Sequence, residues 1–178
     1  MARMTPRLES RQVALGGILA AGSLALLYMA CMAPSGRMGL TAVAGLFPVA
    51  GVLAAGRTVG YLCWAVAGLL GLILLPDKGV PVLYLLFLGL YPVAKSRIES
   101  LCNQPVEWGL KLSCFNLALT FLWFLLRGLV MPNPPGWLKN NALLIYMAGN
   151  GIFVAYDIGL SKLIALLQAR LGFGGRRR

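Results

Sequence analysis

The sequence predicts an all-α, polytopic membrane protein, in which residues 1–178 form a single domain built as a bundle of six transmembrane helices. First, 59% of the 178 residues are hydrophobic and only 12% are charged, which is about half the charge of a typical soluble domain. Second, the apolar residues form runs whose lengths approach the roughly 20 residues that a helix needs to cross a bilayer. Third, most charged residues lie near the ends of those runs, as expected at membrane boundaries.

The first half of the chain contains three predicted spans, at about 13–33, 38–55 and 59–75. Pro34 and Gly36 mark the turn that follows the first span, because both residues interrupt a continuing helix. A short polar break at 56–58 separates the second span from the third. A Pro- and Gly-containing turn at 76–79 ends the third span.

The second half contains three further predicted spans, at about 80–94, 107–130 and 141–167. The fourth run is short for a span, and we expect its helix to continue along the membrane interface, with Lys95 and Glu99 as an (i, i+4) ion pair. The proline-rich segment 131–136 cannot be helical and is predicted to form an external loop.

The cations are distributed unequally between the two sides that six spans define. Twelve of the 16 lysines and arginines fall on the side of the N-terminus: Arg3, Arg7, Arg11, Arg57, Lys95, Arg97, Lys111, Lys162, Arg170 and Arg176 to Arg178. The other four, Arg37, Lys78, Arg127 and Lys139, fall on the opposite side. Because cytoplasmic segments carry the excess of Lys and Arg, we expect a multi-pass protein of the inner (cytoplasmic) membrane with both termini in the cytoplasm.

Composition argues against several classes of function. The chain has no histidine, and its four cysteines show no C-x-x-C pairing, so no metal site or cofactor is predicted. No nucleophile elbow, zinc-protease motif or ATP-binding lysine loop occurs, and no pair of carboxylates suits acid–base catalysis, so the chain is not predicted to be an enzyme. The net charge of +11 is assigned to membrane orientation and anionic lipid head groups, not to nucleic acid.

Polar side chains on the last two spans form two helical faces. They are Asn116, Thr120, Trp123 and Arg127 on the fifth span, and Tyr146, Asn150, Phe153, Asp157 and Ser161 on the sixth, where Phe153 is the one apolar member. Separations of three and four residues place each set on one face of its helix. Polar groups are costly in hydrocarbon, so this seam is the first place to look for function.

Depth divides the seam into an inner and an outer part. At about 1.5 Å per residue, Asn116 and Asp157 lie at similar depths, nearer the cytoplasmic end. We predict that Asn116, Asn150 and Asp157 form a polar clamp between helices, with Lys162 as an alternative partner of Asp157.

Arg127 lies near the outer end of the fifth span. It has two interpretations: a helix-end anchor that reaches the interface, or a residue that lines an outward-facing cavity with Trp123 and Tyr146.

The first span carries small residues at every fourth position. Gly17, Ala21 and Ala25 form one such row, and Gly16 and Ala20 form a second. Rows of this kind allow two helices to approach closely. The row is explained either by packing within the six-helix unit or by a docking face for a separate membrane subunit.

Length, six-span topology and the row of Gly17, Ala21 and Ala25 resemble the substrate-capture (S) subunits of energy-coupling-factor (ECF) transporters, which are bacterial importers of vitamins and metals. The resemblance implies a subunit that binds a small solute and docks through its first helix to a transmembrane coupling subunit driven by two ATPases. It places the substrate between the outer ends of the later helices and the first loop, where the candidate contacts are Arg37, Asp77, Lys78, Trp123, Arg127 and Tyr146. The excess of external cations favours an anionic solute, and the aromatic residues suit a flat ring.

Two other classes fit the same topology. Small six-span subunits of the bacterial cell-shape machinery (MreD type) have similar length and bind other membrane proteins instead of solutes. A small membrane protein without transport activity is the third alternative.

Overall fold

The computed structural model describes residues 10–98, 104–124 and 142–170, and every regular element in these ranges is helical. In order they are α1 (Ser10–Met32), α2 (Arg37–Ala44), α3 (Leu46–Ala55), α4 (Arg57–Leu74), α5 (Gly79–Leu83), a π-helical turn (Tyr84–Leu88), α6 (Leu90–Ile98), α7 (Gln104–Phe124) and α8 (Ala142–Arg170). The predicted all-α class is confirmed for these residues. Glu99, the segment 131–136 that is predicted to form an external loop, and the terminal arginines lie outside the described residues.

Within the described ranges, four helical segments are long and apolar enough to cross a membrane: Ser10–Met32, Arg37–Ala55, Arg57–Leu74 and Leu143–Leu167. These match the first, second, third and sixth predicted spans. The fourth predicted span corresponds to Gly79–Lys95, an apolar helix shorter than this class. The fifth corresponds to α7, which has 21 residues but is not among the four apolar segments.

The helices alternate in direction along the chain. Gly51 of α3 lies close to both Leu19 of α1 and Gly60 of α4, and Gly16 of α1 lies close to Val59 at the start of α4. These contacts make α1 and α4 parallel to each other and antiparallel to the α2–α3 segment. One end of the bundle therefore holds the turn between α3 and α4, and is called the Arg57 end; the opposite end holds the turn after α4 and is called the Asp77 end.

Two glycines at these turns adopt backbone conformations that other residues avoid. Gly36 has φ 78° directly before α2, and Gly56 has φ 97° between α3 and α4. Glycine lacks the Cβ that makes such angles costly, so both sharp reversals are possible without strain. Gly36 lies in the turn that the sequence predicts before the second span. Of the predicted break at 56–58, only Gly56 lies outside a helix, because α4 begins at Arg57.

The second span divides at Gly45 into α2 and α3. Pro48, in the first turn of α3, changes the backbone hydrogen bonding at this point. Proline has no backbone N–H, so Pro48 leaves the Ala44 carbonyl without its usual partner one helical turn earlier. The Ser23 hydroxyl of α1 donates to that carbonyl at 3.1 Å and lies 2.9 Å from the Tyr84 hydroxyl. A buried polar network thus joins α1, α2 and the π-helical turn.

The helix that follows α4 changes its winding where it meets α2 and α3. Between Tyr84 and Leu88 it forms a π-helical turn, closed by the Gly89 N–H donating to the Tyr84 carbonyl at 2.8 Å. Pro92 then removes the usual donor to the Leu88 carbonyl. Tyr156 of α8 makes a long hydrogen bond of 3.5 Å to that carbonyl, which lies against Gly45.

The buried apolar residues form two clusters. The first joins α1, α2, α4 and the π-helical turn around Leu27, Cys63, Leu75 and Tyr84. The second, around Phe87, Tyr91, Phe153 and Leu160, joins the π-helical turn and α6 to α8. Helices α7 and α8 therefore attach to the rest of the molecule mainly through α6 and the π-helical turn.

Candidate functional site

The most unusual feature of the interior is a cluster of charged side chains around Asp157 of α8. Tyr91 of α6 donates a hydrogen bond of 2.6 Å to Asp157 Oδ1, and the Lys95 ammonium forms an ion pair with the same oxygen. Lys111 of α7 reaches the other carboxylate oxygen, with Nζ 3.3 Å from Oδ2. One carboxylate therefore connects three helices.

The two lysines have additional partners. Lys95 Nζ donates to the Asp157 carbonyl at 3.2 Å and to the Ser161 hydroxyl at 2.8 Å. Lys111 Nζ lies 2.6 Å from Glu107 Oε1, one turn away on α7, and 5.6 Å from the centre of the Trp108 ring. These contacts supply hydrogen-bond acceptors to both ammonium groups, which a buried cation requires.

Burial makes this cluster important for the energetics of the fold. Lys95 is 1% exposed, Lys111 is 3% exposed and Asp157 is 4% exposed, whereas the Glu107 side chain is 21% exposed. The two lysines and two carboxylates sum to zero net charge. Removing one partner of such a pair costs about 3–5 kcal/mol in buried sites, because it leaves an uncompensated charge.

The cluster corrects several expectations from the sequence. Lys95 does not lie on an interfacial surface but is buried against α8. Asp157 is bonded to neither Asn116 nor Lys162 in the contacts of the structure; its partners are Tyr91, Lys95 and Lys111, and Lys162 is exposed. Sequence reasoning did not select these three partners as site residues. The (i, i+4) spacing of Tyr91 with Lys95 and of Glu107 with Lys111 was the available signal.

A second polar group lies toward the Asp77 end of the α7–α8 pair. Asn116 and Asn150 exchange two hydrogen bonds of 3.0 and 3.1 Å, and each amide also donates to a carbonyl of its own helix. One helical turn further, the hydroxyls of Thr120 and Tyr146 lie 2.6 Å apart. The structure thus joins two of the three residues of the predicted clamp to each other.

An aromatic layer separates the two polar groups. The rings of Phe115 on α7 and Phe153 on α8 stack with centroids 4.6 Å apart, and Phe87 packs edge-on against Phe115 at 5.2 Å. Tyr91 packs edge-on against Phe153 at 5.2 Å. The predicted polar seam is therefore two separate networks with apolar contacts between them.

Three of the predicted substrate contacts lie together at the Asp77 end, but they are engaged with one another or with the backbone. Arg37 forms a salt bridge with Asp77, whose Oδ1 also accepts the Gly79 N–H at 2.8 Å. Lys78 Nζ donates to the carbonyls of Ile73 and Leu75 at 3.3 and 2.7 Å, which caps the end of α4.

Two further predicted substrate contacts, Trp123 and Tyr146, belong to the α7–α8 pair. Tyr146 is half-buried against Thr120, and Trp123 is half-buried near the end of α7. Arg127 lies outside the described residues. Arg37, Asp77 and Lys78 thus form one group at the Asp77 end, whereas Tyr146 contacts Thr120 within the α7–α8 pair.

The two small-residue rows of α1 face different surroundings. Gly16 and Ala20 are buried, with Gly16 against Val59 of α4. Gly17, Ala21 and Ala25 are exposed, and a Cβ placed on Gly17 would contact nothing within 4 Å. The exposed row borders a groove of about 500 Å³ between α1 and α4, lined by Ala21, Leu24, Ala25, Tyr28, Met29, Leu74 and Leu75.

A further apolar groove of about 150 Å³ lies between the α2–α3 segment and α8, beside Leu46, Tyr156 and Gly159. Neither groove contains a charged lining residue. Among the described residues, no group of three or more histidine, cysteine or acidic side chains is placed to hold a metal ion.

Comparison with protein-family models, with curated proteins and with solved structures finds no match to this chain. Its class is therefore defined by the fold alone: the described part of the chain is helical, and four of its helical segments are long and apolar enough to cross a membrane.

Proposed function

We propose that this protein is the membrane-embedded substrate-binding subunit of a multi-subunit importer for a small, anionic or aromatic, vitamin-like solute. In this proposal six helices cross the inner membrane, both termini are cytoplasmic, and the chain docks to a transmembrane coupling subunit driven by ATPase subunits. The four apolar helices and the unequal distribution of cations support the membrane topology.

The outward orientation of Gly17, Ala21 and Ala25 is the observation that carries the proposal. Gly16 and Ala20 are the small residues that pack inside the bundle, so internal packing does not explain the exposed row of Gly17, Ala21 and Ala25. Small residues on an exposed helix face let a partner helix approach closely, which is the main source of contact energy between helices in lipid. This arrangement supports a subunit that works in a larger membrane assembly.

The solute would bind at the Asp77 end, which is the external end in this topology. Arg37 and Lys78 provide positive charge there, and Tyr146 and Trp123 provide aromatic surface. An anionic group would compete with Asp77 for the Arg37 guanidinium, whose planar fork suits carboxylates and phosphates.

Docking is tested with one substitution and a matched control. Ala21→Leu fills the exposed row, whereas Ala155→Leu makes the same change on an exposed position of α8. We expect Ala21→Leu to abolish co-purification of the coupling subunit and ATPases from the native host and to abolish solute uptake, while Ala155→Leu retains both. Retention of partner and uptake by Ala21→Leu would show that this face is not the docking surface.

Binding of the solute is tested separately. We expect mass spectrometry of the purified protein to identify a co-purifying small molecule, and Trp123→Ala and Arg127→Ala to reduce its uptake. If both variants transport every tested vitamin at the unsubstituted rate, the proposed pocket is incorrect.

A six-span scaffold of the envelope or cell-shape machinery is the second candidate. The observation that favours it is the pairing of Arg37 with Asp77 and of Lys78 with backbone carbonyls, which leaves these cations already engaged. A scaffold also uses an exposed docking face but needs no solute pocket. Co-purification of envelope-synthesis proteins in place of ATPases would decide for this function.

A further inference from the structure

We propose that Asp157 of α8 retains the two charge-bearing helices α6 and α7 within the membrane, so that their stable insertion depends on the last helix of the chain. This inference rests on the membrane location in the proposed function but not on transport or docking. It assigns to the charged cluster a role in assembling the protein.

The distribution of charge among the helices is the first step of the argument. The four helical segments that are long and apolar enough to span do not contain Lys95 or Lys111. Those two lysines lie at the end of the short apolar helix Gly79–Lys95 and within α7. The helices least suited to lipid by themselves are therefore the ones that carry the buried cations, and charged groups in hydrocarbon need a partner.

The geometry of Asp157 is the second step. Its Oδ1 is paired with Lys95 and Tyr91 on α6, and its Oδ2 is paired with Lys111 on α7. Lys111 lies roughly 10 Å from the start of α7 at the Arg57 end, by the rise of an α-helix. A single side chain on a helix that is itself apolar enough to span thus contacts both buried ammonium groups.

The charge balance is the third step. The described cluster of Lys95, Lys111, Glu107 and Asp157 is neutral, and removing Asp157 changes its net charge to +1. Glu107 is one-fifth exposed and remains beside Lys111 when Asp157 is absent. Neutrality can then be restored by removing Lys95, which leaves the Lys111–Glu107 pair. If removing Lys95 reverses the effect of removing Asp157, that effect is caused by the unbalanced charge and not by the loss of the Asp157 side-chain volume.

The labelling rate of a single cysteine on a helix measures whether that part of the helix is accessible from water or protected within the membrane. The probe is a membrane-impermeant maleimide applied to unsealed membranes, with the labelling rate compared with that of the same chain denatured in detergent. One background keeps only Cys114, on α7, by replacing Cys31, Cys63 and Cys102 with alanine. A cysteine-free background carrying Ala94→Cys reports on α6, and a background that keeps only Cys63 reports on α4.

We expect Asp157→Leu to raise the labelling rates of Cys114 and of the cysteine at position 94 by about tenfold or more, because two buried lysines lose a shared carboxylate. Cys63 on α4 should stay protected. Ser161→Ala is the matched control, since it removes a hydroxyl from the cluster without changing its charge. Combining Asp157→Leu with Lys95→Met should restore protection to within about twofold.

Two results would overturn the proposal. One is unchanged labelling in Asp157→Leu, and the other is increased labelling that Lys95→Met does not reverse. Labelling of Cys63 in the unsubstituted chain would refute the membrane location itself, and with it both proposals. Loss of partner binding in Ala21→Leu with Cys114 still protected would support the docking proposal without affecting this one.

Discussion

Ser23 shows how single residues compensate for prolines in this fold. Pro48 and Pro92 each leave a carbonyl without its helical N–H, and hydroxyls from other helices approach both carbonyls. Ser23 on α1 and Ala44 on α2 are both fully buried, so the Ala44 carbonyl could not be hydrated by water if it lacked a hydrogen-bond partner. The serine is thus needed on α1 because of a proline on α3.

We expect Ser23→Ala to destabilise the protein by about 1–3 kcal/mol, because the Ala44 carbonyl loses its donor in the interior. Thermal unfolding of the detergent-solubilised protein, followed by circular dichroism, measures the change. Ser113→Ala, at an exposed position of α7, is the control and should leave the unfolding temperature unchanged. Equal unfolding temperatures for the two variants would contradict the assigned role of Ser23.

At the scale of helices, close backbone contact holds the first half of the molecule together. A Cβ built on Gly60 would lie 2.3 Å from Val52 Cγ2 and 2.8 Å from the Pro48 carbonyl oxygen. Helices α3 and α4 therefore pack at a distance that only glycine allows at this position. The α7–α8 pair uses a different principle, because its contacts are the Asn116–Asn150 hydrogen bonds and the stacked Phe115 and Phe153 rings.

We expect Gly60→Ala to lower stability by about 1–3 kcal/mol, since the added methyl meets a backbone oxygen that cannot move independently of α3. Gly151→Ala on α8 is the matched control, because a Cβ there meets nothing within 4 Å. That control should be neutral or more stable by about 0.5–1 kcal/mol, as alanine is the better helix former. The midpoints of thermal unfolding distinguish the two outcomes.

For the whole molecule, charge placement and helix direction lead to one topology. The alternating helices carry Arg57 at one end and the Arg37–Asp77 pair at the other. In the predicted six-span topology, 12 of the 16 cations fall on the same side as Arg57. Under the proposed membrane location, that side faces the cytoplasm.

We expect a reporter fused after Arg178 to be active in the cytoplasm, and one inserted at Asn133 to be active outside, because six spans return the chain to the side of its N-terminus. Paired fusions to alkaline phosphatase and a fluorescent protein measure the two sides. Signals on the same side for both fusions would exclude an odd number of crossings between these points, and with it the six-span topology.

The limits of sequence-based prediction are clearest in the polar residues. Spacing predicts that Asn116 and Asn150 each share one face of their helix with other polar residues, because helical periodicity depends only on local geometry, and in the structure their side chains form hydrogen bonds with each other. The partners of Asp157 could not be found in this way. Lys95 and Lys111 are 62 and 46 residues away along the chain, and their selection depends on how α6, α7 and α8 pack.

The sequence by itself determined the helical class, the positions of the apolar segments and the turns at Gly36 and Gly56, since these follow from composition, local periodicity and backbone conformation. Only the tertiary structure decided which small-residue row of α1 is buried, which hydroxyls bind the proline-freed carbonyls, and which cations Asp157 neutralises. The physical reason is that the residues on one face of a helix follow from their spacing along the chain, whereas the residues that this face contacts depend on how the helices pack. In this protein, that packing converts a linear seam of polar residues into a charged cluster, an aromatic layer and an asparagine pair.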